Sequence, residues 1–489
     1  MIRFGEWMPD LPAFQSPGAT EAKNVVPDVD SYTPLRSLVT SGSAVAEQPL
    51  GAFSCKAYDG TVDIVCGADT NLYRFSSLAW SEVSRIANVY NLAATDRWRF
   101  TQFGNVILAV NGTETMQVGT IGSGDFATVT GGTADPPIVR YIATVRDFVM
   151  TGNESSAAQR VQWAGINTYD DWASTPASDQ SDEQDLPDGG AITGLVGGEY
   201  AVVLQEQAVR IGTYEGPPTI FRFDVVDEKH GCNVPGSVVG YRGAVFFWSY
   251  DGFYMLVNGQ LQNLSHRKVN NWFWSNVDDS NLHRITSAID PIRGLYILSF
   301  PSASASSGNP DTVLIYNFHE NKFSYGEFDH EMVFSSYSNV GYHLDNIGTA
   351  LPTDDIDASS INVDSPDYLG SSKIILSAFS TDYKLAFFTG TPLAATLDTT
   401  EAEISPGYRT HITEGWPIID GTTSATITPI TRNRIGDSIT VGSAVSQNSV
   451  GFCPLRSDAR YHRARVDIPA GEWNFAQGVD FRGRKSSRV

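Results

Sequence analysis

The sequence predicts an all-β protein: a β-propeller of about six blades, a second small β-sandwich or barrel-like region, and an extended N-terminal arm. Three observations lead there. The first is the stretch Gly243 to Leu264, GAVFFWSYDGFYMLVNGQLQNL. Two apolar runs, Ala244 to Trp248 and Phe253 to Val257, flank a Tyr250-Asp251-Gly252 turn, and Asn258-Gly259 leads into a third strand. Asn-Gly suits a type I′ hairpin, whose two central positions both need φ > 0. The runs are apolar on both faces instead of alternating, so each strand needs cover above and below. The second observation is that this pattern recurs along the chain. The third is the scarcity of helical periodicity, so that the residues beyond about Lys373 also read as strands.

Residues 1–50 read as an extended arm. Pro9, Pro12, Pro17, Pro27 and Pro34 break helices and favour extended segments. Phe4, Trp7, Phe14 and Tyr32 are too apolar to leave in water, so the arm is expected to pack on something. Removing it to about Leu38 is expected to leave the blades folded but to impair assembly.

Residues 51–340 carry the repeats. They are Thr61 to Phe75, Gly104 to Val118, Tyr141 to Trp163, Glu199 to Ile211, Gly243 to Leu264 and Gly294 to Tyr316, each followed by a further aromatic. With Tyr73, Met116, Val161, Val209, Phe253 and Leu314 as equivalent points, the spacing is about 43 to 48 residues. One wider gap of about 60 holds the Ser/Ala/Gly-rich turn Ser302 to Pro310. A period of about 40–50 residues with about four strands per unit marks a propeller, whose units are each too thin to hide their own faces. The WD dipeptide, the Kelch double-glycine pattern and the sialidase Asp box are absent, so no named repeat family is indicated by motif.

Residues 341–372, rich in Asp, Ser and Asn, read as a polar linker or insertion. Residues 373–489 return to strand patterns, from KIILSAF to WNFAQGVDF, and form the C-terminal β domain. It ends basic, with Arg456, Arg460, Arg463 and Arg465, then Arg482, Arg484, Lys485 and Arg488. Such a tail can dock an acidic neighbour, touch DNA, or fray into solvent.

Lys and Arg total 33 against 55 Asp and Glu, a formal charge of −22, which opposes binding of nucleic acid or anionic membrane through a basic surface. The N-terminus has no apolar signal region, and no apolar run approaches the roughly 20 residues that span a bilayer. A protein made in a cytoplasm, with no membrane partner, is expected. Cys55, Cys66, Cys232 and Cys453 show no CxxC and no paired His, and read as free buried thiols. Cys55 and Cys66 could face each other across a hairpin, but a reducing compartment argues against a bridge.

No catalytic, cofactor-binding or metal site is predicted, and the chain reads as a non-enzyme. The nucleophile elbow, P-loop, GxGxxG and HExxH patterns are missing. His230, His266, His283, His319, His330, His343, His411 and His462 are scattered without ligand spacing. The acidic stretch SDQSDEQDLPDGG, with Asp179, Asp182, Glu183, Asp185 and Asp188, lacks the spacing of a Ca²⁺ loop and reads as solvated. A glycosidase carboxylate pair is spatial and leaves no sequence mark; Glu206 and Asp251, beside core strands, would be guesses at one.

The arm, FGEWMPDLPAFQSPGATEAKNVVPDVDSYTPL, resembles the opening of tail nozzle proteins of short-tailed, podovirus-type bacteriophages, also called packaged-DNA stabilisation proteins. PPIVRYIATVRDFVMTG with VQWAGINTYDDW, and RYHRARVDIPAGEWNFAQGVDF near the end, are similar to the same family. The resemblance implies a structural virion protein, made in the host bacterial cytoplasm and located in the tail. It implies a homo-oligomeric ring, typically a hexamer, below the portal and its adaptor. Such a ring continues the DNA channel, helps retain packaged DNA, guides its ejection, and carries a tail needle or tip and tail fibre or tailspike proteins. No catalytic residue or cofactor carries over. An acidic wall suits this role, since it repels the duplex and keeps it mobile without sequence recognition. The competing expectation is a propeller that binds or degrades polysaccharide, with aromatics stacking on sugars.

Overall fold

In strand Ala244–Ser249, Val245 and Phe247 point to one face and Phe246 and Trp248 to the other, as a period of two requires. Both faces are covered. Val245 and Phe247 share a buried cluster with Val202, Leu204 and Val209. Phe246 and Trp248 share another with Tyr296, Leu298 and Leu314. The computed structural model of the chain describes residues 1–12, 18–85, 89–132, 134–175, 178–337, 373–421 and 424–488. The linker expected at 341–372 lies outside the described residues.

The turn chemistry is realised as well. Asn258 and Gly259 have φ of 50° and 73°, between the paired residues Val257 and Gln260. The protein is all-β apart from short helical turns and one α-helix among the described residues, Asn270–Asn276. Its strands form many small antiparallel sheets. Six four-stranded sheets, together with the four strands of 286–327 in a larger sheet, make seven meander units among the described residues. In chain order six of these span 51–82, 99–128, 139–185, 192–227, 239–263 and 286–327. They coincide with the six repeats read from the sequence.

The seventh unit corrects the count of about six and moves a boundary. Met332–Tyr337 pairs with Ile374–Phe379, which pairs with Lys384–Phe387, and the outermost strand is Val39–Ala44 from the arm. Residues 374–387, expected in the C-terminal β domain, therefore belong with the repeats. The reason is connectivity: this unit is interrupted after residue 337 and completed by a strand some 340 positions upstream, so no local period marks it.

Buried clusters join each unit to the next. Leu108, Val110 and Met116 of the second meet Ile142 and Val149 of the third. Leu295, Ile297 and Val313 of the sixth meet Val333, Leu376 and Ala378 of the seventh. Phe334, Phe379, Leu385 and Phe387 of the seventh meet Ile64, Cys66, Tyr73 and Phe75 of the first.

The arm is built into the core, which corrects the expectation that it is separable. Trp7 is fully buried, with its ring 4.7 Å from Trp272 and 5.0 Å from Tyr325. Ala22–Lys23 pairs in parallel with Lys322–Glu327 on one side and antiparallel with Ala395–Asp398 on the other. Val25–Pro27, Tyr32–Pro34 and Ile2–Arg3 join the last sheet of the chain. That sheet contains Tyr408–Gly421, Cys453–Ala459 and Trp473–Arg488. A facing layer of Ala395–Asp398, Thr426–Arg432 and Tyr461–Ile468 runs on from the sixth unit through Ala22–Lys23. Ile427, Ala464 and Val466 from one layer and Ile412, Leu455 and Val479 from the other share a cluster with Trp7 and Trp248.

Trp7→Ala should therefore cost about 3–5 kcal/mol in chemical denaturation, as for a large aromatic removed from a packed core. A loss under about 1 kcal/mol would place the arm outside the cooperative unit. At the junction of the sixth and seventh units, His330 is fully buried between Ser299 Oγ (2.6 Å from Nε2) and the Phe328 carbonyl oxygen (2.9 Å from Nδ1). Burial pushes its pKa down from 6.5 to about 4. The imidazole stays neutral in the folded chain while the unfolded chain takes up a proton below pH 6.5, so stability falls as pH drops from about 6.5 to 4. His330→Asn should flatten that part of a stability-against-pH curve. An unchanged slope would assign the titration to another group.

Candidate functional site

The basic C-terminal residues divide into two sets. Arg465 lies 2.9 Å and Arg463 3.9 Å from Asp398, which is fully buried and accepts a 2.7 Å hydrogen bond from Thr20 Oγ1. Arg460 pairs with Glu403 at 2.8 Å. These three are structural cations. Asp398→Ala should cost about 3–5 kcal/mol in urea melts, because two guanidinium groups lose their shared partner. A near-neutral effect would mean that solvent already screens them.

The second set lies on an exposed strand. Trp473–Arg488 is 16 residues long and is no frayed tail. It pairs along its length with Tyr408–Gly421. Its opposite edge is paired by Ile2–Arg3 and Tyr32 only up to Val479. From Phe481 onward, that edge has no strand partner among the described residues. Arg482, Arg484 and Lys485 are exposed there, and Arg456 is exposed on Cys453–Ala459 of the same sheet. Arg482 stacks over Trp416 at 4.6 Å, and Lys485 over Tyr408 at 4.7 Å, so aromatic neighbours hold these cations in place. Every second main-chain N–H and C=O along the open edge points outward, which makes it a template for a further strand.

A cavity of about 880 Å³ is lined by the first strand of each of the seven units, at positions including Phe53, Thr101, Tyr141, Leu195, Gly240, Ser287 and Ser335. A smaller space of about 110 Å³ shares Trp98, Arg99 and Phe334 with it. Gln48, Arg97, Arg284 and Glu331 line that smaller space, and each stands just before the first strand of its unit. Equivalent chain positions are thereby gathered on one rim. Arg284 is 2.7 Å from Glu331, which also accepts from Gln48 at 3.0 Å. Arg97 donates from Nη1 to the carbonyl oxygens of Ala94 and Asp96 (2.8 and 2.7 Å). Burial, then the charges of Arg284 and Arg99, push its pKa down to about 10. Arg99 lies over the Tyr141 ring at 5.6 Å. Sequence reading missed these arginines; aligning the units as Arg97-Trp98-Arg99 and Arg284-Ile285-Thr286 would have set Arg97 and Arg284 on a common rim.

The remaining candidates are occupied structurally. Asp251 Oδ2 lies 3.2 Å from His230 Nε2 and accepts from Tyr254 at 2.7 Å, while Asp227 is 2.9 Å from His230 Nδ1. Burial opposes ionisation of Asp227, but the N–H groups of Lys229 and His230 and the imidazole hold it below the usual carboxylate range. The cluster ties the end of the fourth unit to a turn of the fifth. Glu206 Oε2 accepts only a long 3.4 Å bond, from the Ala191 N–H. Asp182–Asp185 forms the outer strand of the third unit, where Arg160 lies 2.8 Å from Asp185 and 3.3 Å from Glu183. Cys55 and Cys66 are buried and free, and face Asp63 and Ala52 across the hairpin. Burial is the main cause that raises the Cys55 and Cys232 thiols to about 12 and Cys453 to about 11. Among the described residues no group of three His, Cys, Asp or Glu could hold a metal. No helix is long and apolar enough to cross a membrane among them.

No family model and no curated protein matches the chain. Solved structures that share part of its course include the extracellular domain of a hybrid two component system from B. thetaiotaomicron. There the TM-score is 0.41 and the identity 10%, over 85% of this chain and 46% of that one. This chain thus spans about half the length of that protein. U3-55K aligns at a TM-score of 0.39 and 11% identity, over 61% of this chain and 88% of that one. A chain of the Mitotic Checkpoint Complex gives 0.38 and 12%, over 77% and 98%. At these scores the likenesses carry no argument about function.

Proposed function

We propose that the seven units are the blades of a closed β-propeller, that the last two layers form a β-sandwich, and that the chain is a structural subunit of a ring in the tail of a short-tailed bacteriophage. The observation that carries this reading joins the resemblance to the fold. Two of the three stretches that resemble nozzle proteins stand at opposite ends of the chain, yet they pair with each other: the Phe4 N–H donates to the Gln477 carbonyl oxygen at 2.9 Å, and Tyr32 pairs with Ala476. They build one module, and that module presents the open basic edge.

The occupant of the edge is a second copy of this chain. With a net charge of −22, a neighbouring copy offers the acidic surface that Arg482, Arg484 and Lys485 complement. Contact between an edge on one copy and a different surface on the next is heterologous, and such contacts form a ring when the rotation from copy to copy closes. In the ring, DNA runs along the shared axis and not through the blades' own cavity, because about 880 Å³ suits a small molecule and not a duplex. The acidic excess keeps the duplex from adhering. The adaptor above and the needle, fibres or spikes below are the remaining partners of this reading.

Negative-stain imaging and light scattering of the purified chain, alone and with adaptor, should give rings of about six subunits. Replacing Arg482, Arg484 and Lys485 together by Glu should leave the melting temperature within about 1–2 °C, since the residues are exposed, while abolishing rings. A monomer that stays monomeric with adaptor and cleaves capsular polysaccharide would overturn the assignment.

A further inference from the structure

We propose that the rim of the central cavity is a binding site for a phosphate group, held by Arg97 and Arg99 with Arg284 behind them. The site stands on the geometry of this chain and does not depend on ring assembly. Three arginines line the 110 Å³ space, and the nearby carboxylates are committed elsewhere. Glu331 is engaged by Arg284 and Gln48. Asp96 is engaged by Arg140 at 3.3 Å and by Thr113 Oγ1 at 2.9 Å. No ion pair reaches Arg97 or Arg99 from the described residues, and the two together leave a charge of about +2 facing the space. In a chain of net charge −22 with surplus carboxylates, two neighbouring guanidinium groups without one are an exception that an incoming anion resolves.

The charge selects the class of ligand. A phosphate dianion balances both arginines, whereas a single carboxylate balances only one. Guanidinium forks match phosphate oxygens in pairs, and Arg97 keeps Nε and Nη2 free of the carbonyl oxygens that its Nη1 engages. The space is several times the ~10–15 Å³ that one water needs, so a tetrahedral anion fits beside solvent. The larger cavity beyond Arg99 leaves room for the remainder of a phosphate ester, with Tyr141, Ser287 and Ser335 along its wall. Free phosphate and a small phosphate monoester present the same head group.

The test uses the full chain, with phosphate exchanged for chloride at constant ionic strength. Inorganic phosphate should raise the melting temperature by about 1–3 °C at saturation. Equilibrium dialysis should give one phosphate per chain. Arg97→Gln and Arg99→Gln should each weaken binding at least tenfold, and together abolish it. Glycerol phosphate binding more tightly than inorganic phosphate would identify an ester as the ligand, and equal affinity would identify the free ion. Absence of wild-type binding, or undiminished binding in the double variant, would overturn the proposal. So would a short single-stranded DNA that binds where phosphate does not, since the rim would then be a strand-binding groove. Dialysis of the wild type decides the matter even if the variants fail to fold.

Discussion

Everything in this fold depends on sheets that are apolar on both faces. A four-stranded meander such as 239–263 cannot cover itself, because successive residues of one strand, Phe246 and Phe247, point opposite ways and both are buried. Each unit needs a neighbour on each side. A linear stack would leave two apolar ends, and the cluster that joins Phe334, Phe379 and Phe387 to Ile64, Tyr73 and Phe75 removes both. The seventh unit takes its outer strand from residues 39–44, so the order of the chain and the order in space agree only when the N-terminal region returns. Most of the loss in chain entropy for that return is set by bringing the ends together, and its dependence on length is weak. Long connections are therefore tolerated within a unit, as between Tyr337 and Ile374.

The same constraint explains why the arm is internal. The sixth unit's last strand, Lys322–Glu327, would otherwise be an edge with unpaired main-chain groups. Ala22–Lys23 covers part of it and hands the sheet on to Ala395–Asp398. Trp7, Trp248 and Trp473 then sit in one cluster, which couples the repeats to the C-terminal layers through packing instead of a hinge.

Local signals were legible in the sequence, and long-range pairings were not. The Asn258-Gly259 turn, the two-faced run at 244–248 and the six repeats could be read because each is encoded within a few tens of residues. The aromatics Phe4, Trp7 and Tyr32 correctly signalled that the arm packs, but composition cannot say on what. The seventh unit was hidden because its strands are separated by a polar stretch and by most of the chain. The basic tail was legible as charge, while its division was not. Arg463 and Arg465 answer Asp398, and Arg482 and Lys485 lie over aromatic rings, a difference set by strand register. The rim arginines needed the packing of one unit on another to be seen as neighbours at all.

Charge distribution links the two sites. Most arginines with restricted exposure have a carboxylate: Arg74 with Asp63 at 2.9 Å, Arg85 with Glu114 at 2.8 Å, Arg284 with Glu331 at 2.7 Å. That is the expected outcome when acidic groups are in excess and an unpaired buried charge is costly. Two places stand apart: the open edge beyond Phe481, where Arg482 lies 3.7 Å from Glu414, and the cavity rim at Arg97 and Arg99, which no carboxylate pairs among the described residues. The edge departs cheaply, because its cations are in water, so its pattern reflects a surface that any acidic neighbour can engage. The rim departs at real expense, because burial and mutual repulsion lower the pKa of Arg97. Hydrogen bonds to the Ala94 and Asp96 carbonyl oxygens hold Arg97 in place and the Tyr141 ring supports Arg99, and an anion bound between the two guanidinium groups would offset the repulsion that remains.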